Sequence, residues 1–270
     1  PAIAAGSIFA RQHYDNPIVL ALAADHVIRD AGAFVSACKD TLALAMKGHI
    51  VTFGIKPDRA ATEYGYISPG EIVAGSIRSV REFVEKPDVP TAERYVESGY
   101  LWNSGNFMFH ADTLLTEYRA ADAASLAAVA GAVDRSVKAD ECISLDKLAF
   151  ESASPISIDY AVMERTKQAA VIPVSMEWSD VGSWRAVWEL SNKDDFGNSL
   201  NGPAVVEGAS NCYVSSDKTL VALEGVDNLT VISTTDAILI SGQVDANGLK
   251  RLVGKLNSVP PATTSDAVTA

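Results

Sequence analysis

Residues 18–24 read IVLALAA, an unbroken apolar run that ends immediately before Asp25. Such a run is typical of a short strand that is covered on both faces, as in a parallel sheet. Residues 50–55 (IVTFGI) show the same pattern. Between the two runs, apolar residues recur at helical spacing over 34–46, and Gly48 follows as a helix stop. These segments predict a strand–helix–strand unit.

The same alternation continues for most of the chain. Further strand-like segments lie at residues 81–85, 106–110 and 170–175. Further helix-like segments lie at residues 91–98, 111–138 with a break near Ala121, 157–167 and 183–190. Repeated strand–helix–strand units imply a layered α/β fold.

The pattern changes after Asn192. Short strand-like pieces recur at residues 205–206, 212–214, 220–223, 229–232 and 237–240. This regular spacing predicts a small β meander or a β-helical coil, and such a region is a candidate homodimer contact. A last helix is predicted over 246–256, before a tail with little to bury that we expect to be disordered. The predicted organisation is a first domain over 1–195, a C-terminal β region with a helix over 196–258, and the tail over 259–270.

Composition limits the classes of partner. The chain has 22 Lys and Arg against 34 Asp and Glu, a formal net charge of −12. This balance argues against nucleic acid or an anionic membrane as the main partner, because both require a basic face. An anionic small molecule stays open, since it needs only one or two local cations. Three widely spaced cysteines and the lack of a long apolar run favour a cytoplasmic protein without a zinc cluster.

Two acidic residues are candidate metal ligands. Asp25 comes directly after a predicted strand, where ligands bind in open α/β sheets, so its carboxylate suits a divalent cation. Asp180 lies within residues 178–184 (WSDVGSW), where a second acid is able to complete such a site. The structural alternatives are a helix or turn cap for Asp25 and, for the segment of Asp180, a helix start that is capped by Ser183.

Two further segments combine polar side chains with predicted strand ends. In residues 83–87 (FVEKP), Glu85 suits hydrogen bonds from sugar hydroxyls and Lys86 suits neutralisation of a phosphate. Because adjacent strand residues point to opposite faces, we do not expect these two to form one surface ion pair. In residues 101–107 (LWNSGNF), Asn103 both donates and accepts hydrogen bonds, and its small neighbours allow a ligand to approach. The alternatives are an exposed Glu-Lys pair and a turn held by aromatic packing.

Seven segments, taken in order, carry a more specific signal. They are residues 23–28 (AADHVI), 53–57 (FGIKP), 64–67 (YGYI), 83–87 (FVEKP), 102–109 (WNSGNFMF), 157–165 (SIDYAVMER) and 178–184 (WSDVGSW). Together they resemble the mannose-1-phosphate guanylyltransferases, above all the bacterial type often fused to a phosphomannose isomerase domain. Residues 202–240 also resemble that family's region beyond the catalytic core, so the resemblance covers nearly all of the chain.

The resemblance implies a Rossmann-like nucleotidyltransferase sheet with helices on both faces. It also implies transfer of GMP from GTP to mannose 1-phosphate, which gives GDP-mannose and pyrophosphate for polysaccharide biosynthesis. In this family pattern Asp25 and Asp180 hold Mg²⁺, and Lys86 neutralises the sugar phosphate. The implied substrate contacts are Gly65, Tyr66, Glu85, Lys86, Asn103, Gly105 and Asp159. For Asp159 the structural alternative is the N-cap of a following helix.

The sequence departs from the family pattern in three ways. The family opens with a glycine-rich loop close to GGxGTRLWP that is not found here, so we expect an N-terminally truncated chain with impaired nucleotidyl transfer. Glu63 and Ala23 stand where the family usually has glycine and proline. The given sequence stops before any isomerase domain, so no isomerase activity is claimed for it. The alternatives are a nucleotidylyltransferase that uses glucose 1-phosphate and UTP, or a non-catalytic sugar-nucleotide-binding module.

Overall fold

A six-stranded mixed sheet forms the centre of the N-terminal part of the chain. The computed structural model describes residues 1–140, 142–242 and 246–256, which divide into two units, Pro1–Trp178 and Ser179–Ala270. The helices of the first unit are α1 (Ala2–His13), α2 (Ala31–Met46), α3 (Val89–Glu97), α4 (Ala111–Ala121), α5 (Ala123–Asp134) and α6 (Lys147–Glu151). The strands are β1 (Ile18–Ala21), β2 (Val27–Ile28), β3 (Ile50–Ile55), β4 (Tyr66–Ala74), β5 (Ile77–Val84), β6 (Leu101–His110), β7 (Val137–Ala139), β8 (Cys142–Ser144), β9 (Ala169–Pro173) and, where the two units join, β10 (Trp178–Ser179).

The strands of this sheet follow the order β1-β6-β3-β9-β5-β4. β3 and β9 run parallel, with Thr52 opposite Val171, whereas the other neighbouring strands are antiparallel. The expectation that residues 18–24 form a strand enclosed in a parallel sheet is wrong. β1 ends at Ala21, pairs antiparallel with β6 at one end of the order, and is only half-buried. The apolar run continues into the turn that carries Asp25, because apolar character alone does not fix where a strand ends.

Helices cover both faces of the sheet, which confirms the layered α/β fold. On one face, α1, α4 and α5 pack against strand residues that include Ile50, Phe107 and Phe109. On the other face, Phe34 of α2 packs in a cluster that contains Val51. Ile50 and Val51 are adjacent and belong to opposite clusters, as the alternation of side chains along a strand requires.

The break predicted within residues 111–138 is confirmed. α4 ends at Ala121, and the Asp122 carboxylate accepts a hydrogen bond from the backbone N–H of Ser125 (2.9 Å), which caps α5. A strand is correctly predicted over 81–85, but the observed strand β5 is longer at its start and ends at Val84. It forms a long hairpin with β4.

The helix predicted over residues 157–167 is wrong in both length and type. The structure has instead a five-residue π-helix, Asp159–Met163. Its turn is closed by a hydrogen bond from Glu164 N to Asp159 O (3.0 Å), five residues apart. Such single π turns occur often at functional sites, because they change the direction of side chains within a helical segment.

An irregularity between β3 and β6 shapes the candidate site. Thr52 lies opposite Phe107 and Gly54 lies opposite Asn103. Between these two pairs β3 advances by two residues and β6 by four, so β6 contains a bulge. Gly105 lies within the extra stretch with a φ of +70°, a left-handed conformation that favours glycine. A bulge of this kind re-aims side chains that a regular strand would alternate between faces.

The second unit is a β-helical coil, which decides between the two predicted alternatives. Its strands are β11 (Ser199–Asn201), β12 (Ala204–Glu207), β13 (Tyr213–Ser216), β14 (Val221–Glu224), β15 (Leu229–Ser233) and β16 (Ile238–Gly242), and its helices are α7 (Trp184–Leu190) and α8 (Ala246–Leu256). β11, β13 and β15 pair in parallel, as do β12 and β14, and β16 returns antiparallel to β15. Gly208 and Gly225 turn the chain between strands with positive φ. Parallel pairing excludes a simple meander, in which successive strands are antiparallel.

Helix α8 has the bounds predicted from the sequence. The predicted domain boundaries after residues 195 and 258 stay predictions, and the tail expected over 259–270 lies outside the described residues. In the parts of the chain that the structure describes, no helix combines the length and apolarity that crossing a membrane requires.

Candidate functional site

Glu85 and Lys86 lie just beyond the end of β5 and form an ion pair, with 3.5 Å between Glu85 Oε1 and Lys86 Nζ. The expectation that these neighbours point to opposite faces is therefore wrong. β5 ends at Val84, and Lys86 has a φ of +50°, so the alternation of an extended strand no longer applies. The Glu85 side chain is 11% exposed and that of Lys86 is 60% exposed. A nearly buried acid is thus paired with a cation that reaches solvent.

Asn103 of β6 connects this region to the π-helix. Its Nδ2 donates a hydrogen bond to Asp159 Oδ1 (2.9 Å). Asp159 is the first residue of the π-helix, which has Ile158 at its N-cap position and no side-chain cap bond. The alternative role of Asp159 as an N-cap is therefore wrong. Glu85, Lys86, Asn103 and Asp159 are called the acid–amide cluster below.

Thr52 supports the amide of Asn103 from β3. The Thr52 hydroxyl lies 2.9 Å from Asn103 Oδ1 and 3.2 Å from the Asn106 carbonyl oxygen. The backbone N–H of Gly105 also donates to Asn103 Oδ1 (3.2 Å). Thr52 is fully buried and Asn103 is 8% exposed, so these bonds are shielded from water. They fix which end of the amide faces Asp159.

Burial raises the pKa of both acids in the cluster. Burial first, and then the neighbouring charge of Asp159, raise the pKa of Glu85 to about 7, while Lys86 opposes the shift. Burial also raises the pKa of Asp159, against hydrogen bonding from Asn103 and the charge of Lys86. Glu85 is therefore close to half protonated near neutral pH, and the charge of the cluster changes in that range.

Gly65 lies against this cluster, whereas its neighbour Tyr66 does not. The Gly65 carbonyl accepts a hydrogen bond from Asn103 N (2.8 Å). A Cβ added at Gly65 would overlap Glu85 Oε2 and would lie 3.4 Å from Asn103 Cβ. The Tyr66 side chain has no exposed surface, and its hydroxyl accepts a hydrogen bond from Ala61 N (2.9 Å). Tyr66 therefore packs in the core, although the resemblance implies a substrate contact there.

Gly105 lines a cavity of about 390 Å³. Ala23, which follows β1, and Asp159, which begins the π-helix, line the same cavity. A Cβ added at Gly105 would lie 3.5 Å from His26 Cε1, and Trp178 Nε1 bonds to His26 Nδ1 (3.2 Å). The cavity therefore brings together the segment after β1, the bulge of β6 and one acid of the cluster.

The two predicted metal ligands lie in different units of the structure. Asp25 is exposed in the turn after β1, and Ala23 N donates to Asn106 Oδ1 (3.3 Å), which ties this turn to β6. Asp180 Oδ1 accepts a hydrogen bond from Gly182 N (3.0 Å). Over the described residues, no three His, Cys, Asp or Glu side chains are grouped as a metal site. A site formed by Asp25 and Asp180 together stays a prediction.

The segment around Asp180 has an unusual backbone. Val181 has a φ of +50°, which is a genuine outlier for a β-branched residue. A Cβ added at Gly182 would lie 2.7 Å from Asp180 Oδ2, so this glycine leaves room for the carboxylate. Ser183 Oγ accepts a hydrogen bond from Ala186 N (3.2 Å), which confirms that Ser183 caps α7.

Two residues that contact the acid–amide cluster are not predicted from the sequence. Thr52 lies within an apolar strand, and Glu164, whose Oε1 accepts a hydrogen bond from Glu85 N (3.3 Å), resembles any exposed acid. One signal for Thr52 is that it is the sole polar side chain in residues 50–55. Glu164 lies within residues 157–165, one of the segments that carry the family resemblance, but that segment does not assign it a role, because its position beside Glu85 depends on the π turn.

Most of the chain matches two family descriptions. Residues 1–195 match the family described as "Nucleotidyl transferase". Residues 202–256 match "MannoseP isomerase/GMP-like beta-helix domain", in agreement with the β-helical coil of the second unit.

Several bacterial proteins are similar over nearly the whole chain. A mannose-1-phosphate guanylyltransferase of Klebsiella pneumoniae is 43% identical over 257 residues, which are 94% of this chain and 55% of the relative. The mannose-1-phosphate guanylyltransferase of Escherichia coli K12 is 41% identical over 96% of this chain and 55% of its own length. The xanthan biosynthesis protein XanB of Xanthomonas campestris is 40% identical, with the same coverage. The chain thus spans about half the length of these curated relatives.

Two solved structures share this fold. One is described as mannose-1-phosphate geranyltransferase from Thermus thermophilus, with a TM-score of 0.80 and 30% identity over 95% of this chain and 74% of that chain. The other is described as mannose-6-phosphate isomerase from Helicobacter pylori, with a TM-score of 0.59 and 27% identity over 66% of this chain and 70% of that chain.

Proposed function

The chain belongs to the Nucleotidyl transferase family, and from this premise we propose that it transfers GMP from GTP to mannose 1-phosphate, with GDP-mannose and pyrophosphate as products. The acid–amide cluster carries the proposal, because it brings two carboxyl groups, an oriented amide and one cation together. Such a set suits a sugar phosphate, which offers hydroxyls to acceptors and an anion to a cation. Relatives named mannose-1-phosphate guanylyltransferase, at 43% identity, support this choice of sugar and nucleotide.

In the proposed reaction, an oxygen of the sugar phosphate attacks the α-phosphorus of GTP. The new P–O bond forms as the bond to pyrophosphate breaks. Because the attacking oxygen is already anionic, the protein needs no strong general base. Catalysis then depends on in-line positioning of the two substrates and on neutralising their negative charge.

The cluster divides these tasks among its members. Lys86, whose side chain is mostly exposed, would neutralise the sugar phosphate as a point charge. Glu85 and Asp159 would accept hydrogen bonds from sugar hydroxyls. Asn103 gives one Nδ2 hydrogen to Asp159 and has a second to offer to a hydroxyl.

Nucleotidyl transferases of this type generally use a divalent metal ion. Asp25 and Asp180 supply hard carboxylate oxygens, the ligand type that Mg²⁺ takes together with substrate phosphates, so the donor set fits Mg²⁺. When bound, Mg²⁺ would supply positive charge to phosphate oxygens. Asp25 would be held for this role through the bond between Ala23 and Asn106, and Asp180 through its bond from Gly182.

The test is a matrix of four reactions, in which the purified chain receives GTP or UTP with mannose 1-phosphate or glucose 1-phosphate. Release of pyrophosphate and formation of the nucleotide sugar are measured in each reaction. We expect GTP with mannose 1-phosphate to be the preferred pair. Preference for UTP with glucose 1-phosphate would contradict the substrate assignment. Calorimetric binding of GDP-mannose without any turnover would instead identify a non-catalytic sugar-nucleotide-binding module.

A second copy of this chain is the partner proposed for the β-helical coil. Ile238 and Ile240 alternate outward from β16 and are 60% and 66% exposed. Exposed apolar side chains on a regular strand surface support an interface. Sedimentation should show a dimer that the Ile240→Lys variant converts to a monomer. A monomeric wild-type chain would contradict the assignment.

A further inference from the structure

Thr52 is a buried hydroxyl in an otherwise apolar strand. Its neighbours Val51 and Phe53 belong to the core cluster on the α2 face, so Thr52 points to the other face of the sheet, where it lies opposite the buried Phe107 of β6. A hydroxyl in such surroundings is costly unless it is hydrogen-bonded. Two oxygen atoms of β6 lie within hydrogen-bond distance of its hydroxyl, Asn103 Oδ1 and Asn106 O. Thr52 therefore connects β3 to the bulge that carries the site.

The bonds around Asn103 admit one orientation of its amide. Oδ1 lies 2.9 Å from Thr52 Oγ1 and 3.2 Å from the donating Gly105 N, while Nδ2 donates to Asp159 (2.9 Å). Turning the amide over would place Nδ2 against the Gly105 N–H and Oδ1 against the Asp159 carboxylate. Both contacts would be repulsive, so Gly105 and Asp159 decide the orientation, and in that orientation Oδ1 is able to accept a hydrogen bond from the Thr52 hydroxyl.

We propose that Thr52 is a positioning residue for the sugar-phosphate site, and that its hydroxyl holds the Asn103 amide in place to support the carboxylate of Asp159. This inference rests on the proposed function. Thr52 acts through Asn103, because the fully buried hydroxyl does not reach a ligand itself. Without it, Oδ1 keeps only the longer bond from Gly105, so the amide is held less firmly in the position from which it donates to Asp159.

The test compares Thr52→Val with Thr52→Ser. Valine keeps the shape but removes the hydroxyl, whereas serine keeps the hydroxyl and loses a methyl group. We expect Thr52→Val to raise the KM for mannose 1-phosphate about fivefold, the effect of one net hydrogen bond, with kcat and the KM for GTP within twofold. Thr52→Ser should stay within twofold of wild type in all three values. Equal defects in both variants, or no defect in Thr52→Val, would overturn the proposal.

The pH profile supplies a readout that a purely structural role would not move. The hydrogen bond from Asn103 lowers the pKa of Asp159, so weakening that bond raises this pKa. Asp159 contributes to the acid limb of kcat/KM for mannose 1-phosphate together with Glu85, with the charges of Lys86 and Glu164 beside them. This limb should therefore move to higher pH in Thr52→Val and not in Thr52→Ser. If Thr52→Val does not fold, Thr52→Ala replaces it in the same comparison.

A measurement without ligand separates this inference from the proposed function. The side-chain amide protons of Asn103, followed by NMR, should lose protection from exchange in Thr52→Val and keep it in Thr52→Ser. If the wild type forms no nucleotide sugar, the proposed function fails, and this comparison still decides the role of Thr52. Unchanged protection in Thr52→Val would overturn that role whatever the activity.

Discussion

Asp159 and Glu164 stand at the two ends of one π turn, which is closed by the bond from Glu164 N to Asp159 O (3.0 Å). Both acids act on Glu85: the charge of Asp159 raises its pKa, and Glu164 Oε1 accepts a hydrogen bond from its backbone N–H (3.3 Å). An α-helical turn would bring Met163, at i+4, over Asp159 instead. Met163 is buried in the core, so the extra residue of the π turn allows one segment to serve both the core and the site.

Glu85 makes the stability of the protein depend on pH. Its pKa is raised in the folded state to about 7 from an ordinary 4.5, so the folded chain binds the proton more tightly than the unfolded chain. The free energy of unfolding therefore falls as the pH rises from about 4.5 to 7, by at most about 3 kcal/mol, and stays lower above that range. Glu85→Gln should remove this part of the decrease, as measured by urea unfolding at a series of pH values.

Glu82, on the strand β5 that ends just before Glu85, offers a matched control. It is exposed and accepts a hydrogen bond from the Tyr100 hydroxyl (2.7 Å). Glu82→Gln should keep the wild-type decrease between about pH 4.5 and 7. A wild-type profile in Glu85→Gln would show that Glu85 titrates normally and that its environment is more polar than its burial indicates.

Gly65→Ala should disturb the site without disturbing the fold. A Cβ at this position overlaps Glu85 Oε2, the end of a side chain that is able to move away, and Gly65 is not among the positive-φ residues. The melting temperature should change little, while the KM for mannose 1-phosphate rises roughly tenfold because the Glu85 carboxylate is displaced. Gly6→Ala in α1, where nothing lies within 4 Å of the added Cβ, is the control and should leave the KM unchanged.

The sequence predicts the elements that depend on local signals and misses those that depend on distant partners. The break between α4 and α5 is predicted because Asp122 is a strong local cap. Most of the β4–β5 hairpin is missed, since Pro69 and Gly70 interrupt β4 and shift its register against β5. The ion pair of Glu85 with Lys86 is missed because it depends on the positive φ of Lys86, which no pattern of side chains encodes.

In the candidate site, too, residues within sequence motifs are predicted, whereas contacts that depend on distant partners are missed. Motif order places Gly65, Glu85, Asn103 and Asp159 in one family site, and the structure brings these four residues together. Motif order does not reveal that Tyr66 turns its side chain into the core, because alternation along β4 decides that. Buried support such as Thr52 is equally hidden, since a threonine in a strand is ordinary until its partners are known.

Lys86→Ala should weaken the handling of mannose 1-phosphate more than that of GTP. The variant loses the one cation of the acid–amide cluster, and hydrogen bonds to charged groups are worth enough to raise the KM roughly 10- to 100-fold. Steady-state kinetics with each substrate varied in turn measure this split. The control is Lys147→Ala, which removes another exposed lysine that forms an ion pair with a glutamate, Glu151. Equal changes in both KM values would contradict the assignment of Lys86 to the sugar phosphate.

Asp180→Asn should lower turnover while the fold stays intact. The change removes one negative charge from the proposed Mg²⁺ site, and the charge stabilisation supplied by such an ion is worth several kcal/mol, or roughly 100-fold in rate. Turnover and calorimetric binding of Mg²⁺ in the presence of GTP measure the effect. Asp195→Asn, an exposed acid of the same unit, should behave as the wild type. Turnover close to wild type in Asp180→Asn would refute the metal role.

Val181 should store strain next to Asp180. Left-handed backbone costs an L-residue about 1–2 kcal/mol, and a β-branched side chain at a φ of +50° is an outlier even among these. Val181→Gly relieves this strain, but glycine makes the unfolded chain more flexible, which costs about 0.5–1 kcal/mol of stability. The net expectation is a gain of about 1 kcal/mol in the free energy of unfolding.

The matched control for Val181→Gly is Val205→Gly. Val205 lies in β12 of the same unit, is 58% exposed and is not among the positive-φ residues, so glycine there should lower the free energy of unfolding by about 0.5–1 kcal/mol. The free energy of unfolding, measured by urea unfolding, should therefore rise in Val181→Gly and fall in Val205→Gly. Because strain held at a functional segment usually serves the site, Val181→Gly should gain stability and lose turnover together. A stabilised variant with unchanged turnover would show that the strain of Val181 does not hold Asp180 in its working position.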